Sequence, residues 1–532
     1  MTDPPPAHVW RRREAADVRH VDRALMFAIA GAGVASLLRL GDWWFRPEHV
    51  ANLPLFILLS LAFWYSVLRV ALGWIIYAAI RKPPHRPAAA GLRVAIFTTS
   101  SPGEPLEMFD KTLAACARLA YPHTTYLLDD SPDPRIADAA ARHGAVHLRL
   151  VGIPGAKAGK INRALQLTDE EFILVLDPDH VPFPEFFDRV LGYFDDPDVG
   201  FVQVAQAYYN QPRSFTARAA AEQTYAFYGP GQMGLFGHGA AVAIGANCTF
   251  RRSALTSIDG HGVGLAEDLI TAIRLHAAGW RSVYVPEIVS RGLVPEDLGS
   301  YYRQQLKWSR GVYEVVFAEM PRSIRRLRWR QIISYLAIGT YYLFGLTTVA
   351  YLTIPYLYLW AGVQPANMPF HELIIAAAPV AIAGAASYVF AQRWLCDPPA
   401  ERGIHWRGSV LKWASWPIIL AGTLLAIVRA DVPYIPTPKQ GTRGAFLRLA
   451  LPQLIVIGAF AATAIHVARQ RFGSAGDATF ELSAEAVWGM LAFASVPALA
   501  AAAALRAAWE ARRPPSDAAW DAIQPELSVS PR

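Results

Sequence analysis

The 532-residue chain is 53% hydrophobic, carries 17% charged residues and a net charge of +7, and its mean hydropathy is +0.22. That hydropathy excludes an ordinary soluble globule and implies membrane-spanning segments beside a folded domain. Lys and Arg cluster next to apolar segments, so the basic balance reads as membrane topology rather than nucleic-acid binding. The three cysteines, Cys116, Cys248 and Cys396, are too few and too scattered for a disulfide framework or a zinc site.

Residues 1–23 form a polar, basic tail on the cytoplasmic side, and 24–89 hold a first pair of spans at 24–41 and 54–80. A cleaved signal peptide is the alternative for the first span, but no small-residue cleavage site follows it. Trp43, Trp44 and Phe45 mark an interfacial belt. Arg69, inside the second span, either snorkels to the headgroups or faces a polar channel. From 90 to 300 strand-like runs at 92–98, 124–128, 146–150 and 172–176 alternate with helical runs at 106–119, 134–143 and 160–166, the pattern of βαβ units around a parallel sheet. The run 172–176 stops at Asp177-Pro178-Asp179-His180. Ligands bind at the carboxyl ends of such strands. Two carboxylates one residue apart suit a hard divalent cation beside a nucleotide, with a plain strand-ending turn as the alternative.

Residues 301–330 read as interfacial helices ending in a basic run, Arg322 to Arg330. Residues 331–510 form a second membrane block with spans at 331–358, 372–391, 451–468 and 486–508. An apolar run at 409–428, with Lys412 and flanking Trp406, Trp413 and Trp416, is expected to lie flat at the interface. Six spans keep Lys439, Arg443, Arg448, Arg506 and the tail 511–532 cytoplasmic, whereas a crossing at 409–428 would make seven.

Four features in order carry a resemblance: Leu128-Asp129-Asp130-Ser131, Asp177-Pro178-Asp179, Ala266-Glu267-Asp268 and Gln304-Gln305-Leu306-Lys307-Trp308. Further agreement comes from Gly103-Glu104-Pro105-Leu106-Glu107 with Ala120-Tyr121-Pro122, and from Lys157-Ala158-Gly159-Lys160-Ile161-Asn162. Tyr434-Ile435-Pro436-Thr437-Pro438-Lys439, in the loop 432–441, agrees as well. Together they resemble the signature of processive family 2 glycosyltransferases, the group of cellulose, hyaluronan and chitin synthases, over residues 55–510. The resemblance implies an α/β GT-A domain, inserted between α-helical membrane blocks in the inner (plasma) membrane. The implied reaction is inverting transfer from a UDP-sugar, first of all UDP-glucose, to a growing β-linked polysaccharide that leaves through the membrane helices. Single-sugar transfer to a lipid phosphate carrier, or a dead transferase serving export, are the rivals.

The implied roles follow residue by residue. Asp130 meets uracil or ribose; Asp177 faces the nucleotide and Asp179 a Mg²⁺ or Mn²⁺ ion; Lys157 reaches the diphosphate. Asp268, beside Glu267, takes the proton of the attacking hydroxyl, unless it is only a helix-start acid. Gln304, Lys307 and Trp308 share one helix face, the first two toward the diphosphate and the indole under the acceptor sugar. Two departures stand out: Lys307 replaces the usual Arg, and Ala266 the usual Thr. Phe250-Arg251-Arg252 either lines the acceptor entrance or is a strand turn with surface arginines. Tyr335, Tyr341, Tyr342 and Tyr351 either line a sugar channel or pack, and Tyr356, Tyr358 and Trp360 read as the outer aromatic belt. The stretch after 508 leaves no room for a cyclic-di-GMP-binding barrel, so regulation is assigned to a partner, for example an accessory export subunit.

Overall fold

Short apolar runs become a sheet buried on both faces. In the computed structural model, which describes residues 10–430, 446–472 and 484–510, seven strands form one sheet: β1 (Val94–Ser100), β2 (Thr124–Asp129), β3 (Val146–Arg149), β4 (Phe172–Leu176), β5 (Val199–Val204), β6 (Cys248–Arg251) and β7 (Arg281–Val285). Their order is 3-2-1-4-6-5-7, with β3, β2, β1 and β4 parallel and β6 antiparallel to both β4 and β5. Alternate residues feed opposite faces. Ala95, Phe97, Ile173 and Val175 join one core, while Val94, Ile96, Leu174 and Leu176 join the other with Phe186 and Phe187. This is a GT-A-like mixed sheet.

The register sets the site. Ser100 lies opposite Asp129, and Thr98 opposite Leu176, so β1, β2 and β4 end level along one rim. Because β6 runs the other way, its start pairs with Val175 and brings residues 245–247 to the same rim. The strands after 176 were not legible as alternation with helices, because β6 inserts between β4 and β5 from far along the chain.

Among the described residues, six helices are long and apolar enough to cross a membrane: His20–Trp44, Leu53–Ala78, Trp329–Ala361, Phe370–Trp394, Phe446–Arg471 and Ala484–Glu510. Leu53, Ile57, Leu61, Leu68 and Ile75 are exposed at helical spacing, which is the stripe a lipid-facing helix presents. The third span is interrupted at Tyr341–Leu343 by a 3₁₀ turn. Trp406–Ala414 and Trp416–Ile427 form a pair bent by 49°. At 1.5 Å per residue the longer leg reaches about 18 Å, short of a ~30 Å hydrocarbon core. It lies against the helix Leu298–Glu314 (here the acceptor helix), with Gly422 facing Ser309 and Thr423 Oγ1 donating to Tyr313 Oη at 3.0 Å. Ion pairs tie these segments together: Arg393 to Asp22 at 2.8 Å joins two of the long apolar helices, and the buried pair Arg291 to Asp397 at 2.8 Å links the sheet domain to the segment after the fourth.

Candidate active site

The two adjacent acids at the end of β2 face opposite ways, as neighbours on a strand must. Asp129 is fully buried and structural. It accepts from the Ser131 N–H at 2.8 Å and from the Ser100 hydroxyl, and lies 2.8 Å from His147 Nε2. Asp130 faces the rim. Its carboxylate is held at 3.0 Å by the ammonium of Lys160, which is buried and also donates to the Ser100 carbonyl at 2.5 Å. Lys160 belongs to the quoted Lys157–Asn162 segment, but sequence reasoning gave it no role. The one available signal was its place one helical turn after Lys157, pointing at the same rim of the sheet.

Lys157 bridges two parts of the rim. Its ammonium lies 2.5 Å from Asp177 Oδ1 and donates to the Gly245 carbonyl. Asp177, Asp179 and His180 each offer an atom that lies within 4.8 Å of the others. Asp179 Oδ1 is 2.8 Å from His180 Nδ1, and His180 Nε2 is buried with no hydrogen-bond partner. Two hard carboxylates with an imidazole suit Mn²⁺ or Mg²⁺, and the unsatisfied ring nitrogen is the kind of buried polar atom a ligand completes. The donor set fits a divalent cation and includes His180, which the sequence reading had not singled out.

Asp268 opens the helix Glu267–Ala277. Its Oδ1 accepts the Leu269 N–H at 2.7 Å, and Gly245 lies against its Oδ2. Gly245 has φ +78°, and a Cβ there would sit 3.3 Å from that oxygen, so both conformation and space ask for glycine. Enclosure by protein pushes the Asp268 carboxyl up to about 7, the neighbouring Glu267 charge adds to this, and Lys157 and Lys307 oppose it. The acceptor helix starts at Asp297, whose Oδ1 caps the Ser300 N–H at 3.0 Å. Gly311 of that helix abuts Ala266, and a Cβ on Gly311 would come within 2.9 Å of the Ala266 Cβ. The base-bearing turn and the Gln304-Lys307-Trp308 face are therefore packed directly together.

One cavity of about 630 Å³ collects all of these groups: Asp130, Lys157, Asp177, Asp179, Glu267, Asp268, Gln304, Lys307 and Trp308 line it. Its other end lies among membrane helices, at Arg69, Ala337, Tyr341 and Tyr342. Arg69 takes the channel-facing alternative. Its Nη1 donates to the Ala337 carbonyl at 2.5 Å and to Thr340 Oγ1 at 3.1 Å, and its guanidinium lies 5.5 Å from the Tyr341 ring centre. Tyr335 and Tyr351 do not line the cavity: they lie 2.7 Å from His276 Nδ1 and 2.9 Å from Ser66 Oγ. Arg251 and Arg252 take the strand-turn alternative. Arg251 donates to the carbonyls of Val199 and Phe194 at 3.1 and 2.6 Å, and Arg252 to those of Glu170 and Leu165 at 2.5 and 2.6 Å. The loop 432–441, which carries the Tyr434–Lys439 part of the resemblance, lies outside the described residues.

Residues 106–311 match the family described as "Glycosyltransferase like family 2", and residues 260–366 match "Cellulose synthase". Residues 106–311 thus form a domain of the family 2 glycosyltransferase type. This transferase is related to bacterial cellulose synthase catalytic subunits. It is 32% identical over 326 residues to the UDP-forming catalytic subunit of Komagataeibacter sucrofermentans, covering 59% of this chain and 41% of that protein. It is 30% identical over 271 residues to that of Pseudomonas fluorescens, covering 49% and 36%. The transferase thus spans less than half the length of these curated relatives. Among solved structures it is similar to the mannosyltransferase PcManGT from Pyrobaculum calidifontis, in complex with GDP-Man and Mn²⁺. That match has 15% identity and a TM-score of 0.42, covering 77% of this chain and all of that one.

Proposed function

We propose that the transferase polymerises a UDP-sugar, with UDP-glucose the first candidate, into a β-linked glucan-type chain and passes the product through its membrane helices. The carrying observation is the single cavity that runs from Asp130 and Asp177 to Tyr341 and Tyr342, with Asp268 and Trp308 between. Its sheet end offers carboxylates and two lysines to a nucleotide diphosphate, and its membrane end is walled by aromatic rings. Asp130 binds the uridine. Asp177, Asp179 and His180 would hold a divalent cation, which when bound supplies charge to offset the leaving diphosphate. Lys157 and Lys307 add positive charge on the same side, and Gln304 an amide. Asp268, half-neutral near pH 7, takes the proton of the acceptor hydroxyl as that oxygen attacks the anomeric carbon, while the bond to the diphosphate breaks. Attack opposite the leaving group inverts the anomeric centre. Trp308 stacks under the acceptor sugar. The domain bounds inferred from the sequence, a multi-pass placement with the sheet domain in the cytoplasm, and an accessory export partner belong to the same proposal.

One observation favours a second reading. Arg69 at the membrane end has no carboxylate partner among the described residues, and a guanidinium at membrane depth suits a lipid phosphate acceptor. A single experiment separates the readings. Purified protein in liposomes is given a panel of labelled UDP-sugars with Mn²⁺ or Mg²⁺, and products are sized and analysed by mass spectrometry. Long β-linked polymer supports synthesis; only solvent-extractable, singly glycosylated lipid supports the second reading; no turnover of any donor refutes both.

A further inference from the structure

A second cavity, of about 430 Å³, shares no lining residue with the first. It lies at the far edge of the sheet, where Val199 of β5 and Arg281 and Val283 of β7 meet the segment leaving the second membrane helix. Five cations line it, Arg23, Arg81, Lys82, Arg86 and Arg281, against one carboxylate, Asp196. Two of the five are already neutralised: Lys82 by Glu14 and Asp17 at 3.2 and 3.1 Å, and Arg281 by Asp196 at 2.6 Å. Arg23, Arg81 and Arg86 have no ion-pair partner among the described residues, and Arg23 Nε is buried without a hydrogen bond. Like charges that converge without partners repel, so their convergence on one hollow calls for an anion.

The position names its source. Arg23 sits in the first turn of the helix His20–Trp44, and Arg81 just beyond the end of Leu53–Ala78. Both ends lie on the side of the sheet domain, since residues 13–14 pair with 287–288 and the second helix runs directly on into β1. Phe27, one helical turn beyond Arg23 on the same face, is 60% exposed, so an apolar side chain lies below the charged hollow along that helix. A cation cluster at the headgroup level, flanked by a lipid-facing helix, is complementary to a headgroup phosphate whose acyl chains run down that helix.

We infer that this cavity binds the phosphodiester headgroup of an anionic phospholipid from the leaflet beside the sheet domain, and thereby clamps the outer edge of the sheet to the membrane. The site lies apart from donor chemistry, so it stands or falls independently of the function proposed above.

The test uses the full-length protein in nanodiscs of equal parts phosphatidylglycerol and phosphatidylcholine, with retained lipid counted by native mass spectrometry after transfer to detergent. Wild type should keep phosphatidylglycerol in preference to phosphatidylcholine. The triple variant R23Q/R81Q/R86Q should lose it on the order of a hundredfold, given three cations of ordinary surface contribution, while still binding UDP within twofold of wild type. The variant R325Q/R326Q/R330Q, which removes as many charges elsewhere, should keep the lipid. Equal retention of both lipids by wild type overturns the inference without reference to any variant. So does equal loss in both triple variants, which would mean diffuse surface charge. Displacement of the lipid by millimolar inorganic phosphate or glycerophosphoglycerol would make this a soluble-anion site and overturn the lipid assignment.

Discussion

Replacing Asp268 by Asn should abolish turnover and at the same time stabilise the protein, with both effects following the same titration. Burial and the Glu267 charge raise the Asp268 carboxyl from 3.8 to about 7. At 1.36 kcal/mol per unit, holding this group ionised above pH 7 costs on the order of 4 kcal/mol of folding stability. The sign follows from proton linkage. The unfolded chain releases this proton near the ordinary carboxylate value and the folded chain only near 7. Between those values the folded state binds more protons, so stability is full at low pH, falls as pH rises through the window, and levels off above it. Asn cannot ionise and keeps the acceptor for the Leu269 N–H. The melting temperature of Asp268→Asn in detergent should therefore exceed that of wild type at pH 8, with the gap more than halved by pH 5 and closing only below about pH 4. Activity runs the other way. A positioned base contributes roughly a hundred- to ten-thousandfold, so UDP release by Asp268→Asn should fall by that factor. In wild type, kcat/KM should rise tenfold per pH unit below about 7 and flatten above. Full activity in Asp268→Asn, or a melting-temperature gap independent of pH, would refute the assignment of this carboxyl as an enclosed base.

Three further substitutions probe the rim. Asp179→Ala should abolish the gain in UDP affinity on adding Mn²⁺, read by calorimetry; an unchanged Mn²⁺ dependence would remove Asp179 from the cation site. Lys160→Met frees Asp130 and leaves a buried carbonyl unpaired, so UDP binding should weaken about tenfold, ~1.4 kcal/mol, with a lower melting temperature; unchanged affinity would mean that Asp130 does not touch the nucleotide. Gly245→Ala adds a Cβ at φ +78° against Asp268. It should cost about 1 kcal/mol of stability and most of the turnover, and wild-type turnover would mean that the rim yields more than its packing suggests.

The strand ends carrying Asp130 and Asp177 were legible because a short apolar run stopping at acids is a local signal, and parallel pairing carries all such ends to one rim. The six long apolar helices were legible for the same reason: hydropathy over a span needs no partner. The division of labour between Asp129 and Asp130 was not. Adjacent acids look alike in sequence, and only the strand's alternation and the neighbours His147 and Lys160 assign one to the core and one to the cavity. The arginines of Phe250-Arg251-Arg252 left two readings open in the same way. Whether they meet substrate or loop carbonyls depends on β6 running antiparallel, which turns that end of the strand away from the rim. His180 was quoted with the acids but not weighed, since one histidine after a turn carries no pattern.

The acceptor helix explains why the catalytic and membrane halves form one device. On one side Gly311 admits the Ala266 backbone, which fixes the helix start that carries Glu267 and Asp268. On another, Ser309 receives Gly422 of the bent membrane-side pair, and Tyr313 is held by Thr423. Small residues at both contacts bring the backbones close, and close packing does not deform continuously but moves as a unit. The face bearing Gln304, Lys307 and Trp308 is thus positioned by the base on one flank and by the membrane block on the other. A sheet domain cut free before residue 298 would keep Asp130, Lys157, Asp177 and Asp179, and with them the nucleotide end. It would lose the wall against which an acceptor is aligned with Asp268, because that wall is made where the two halves meet.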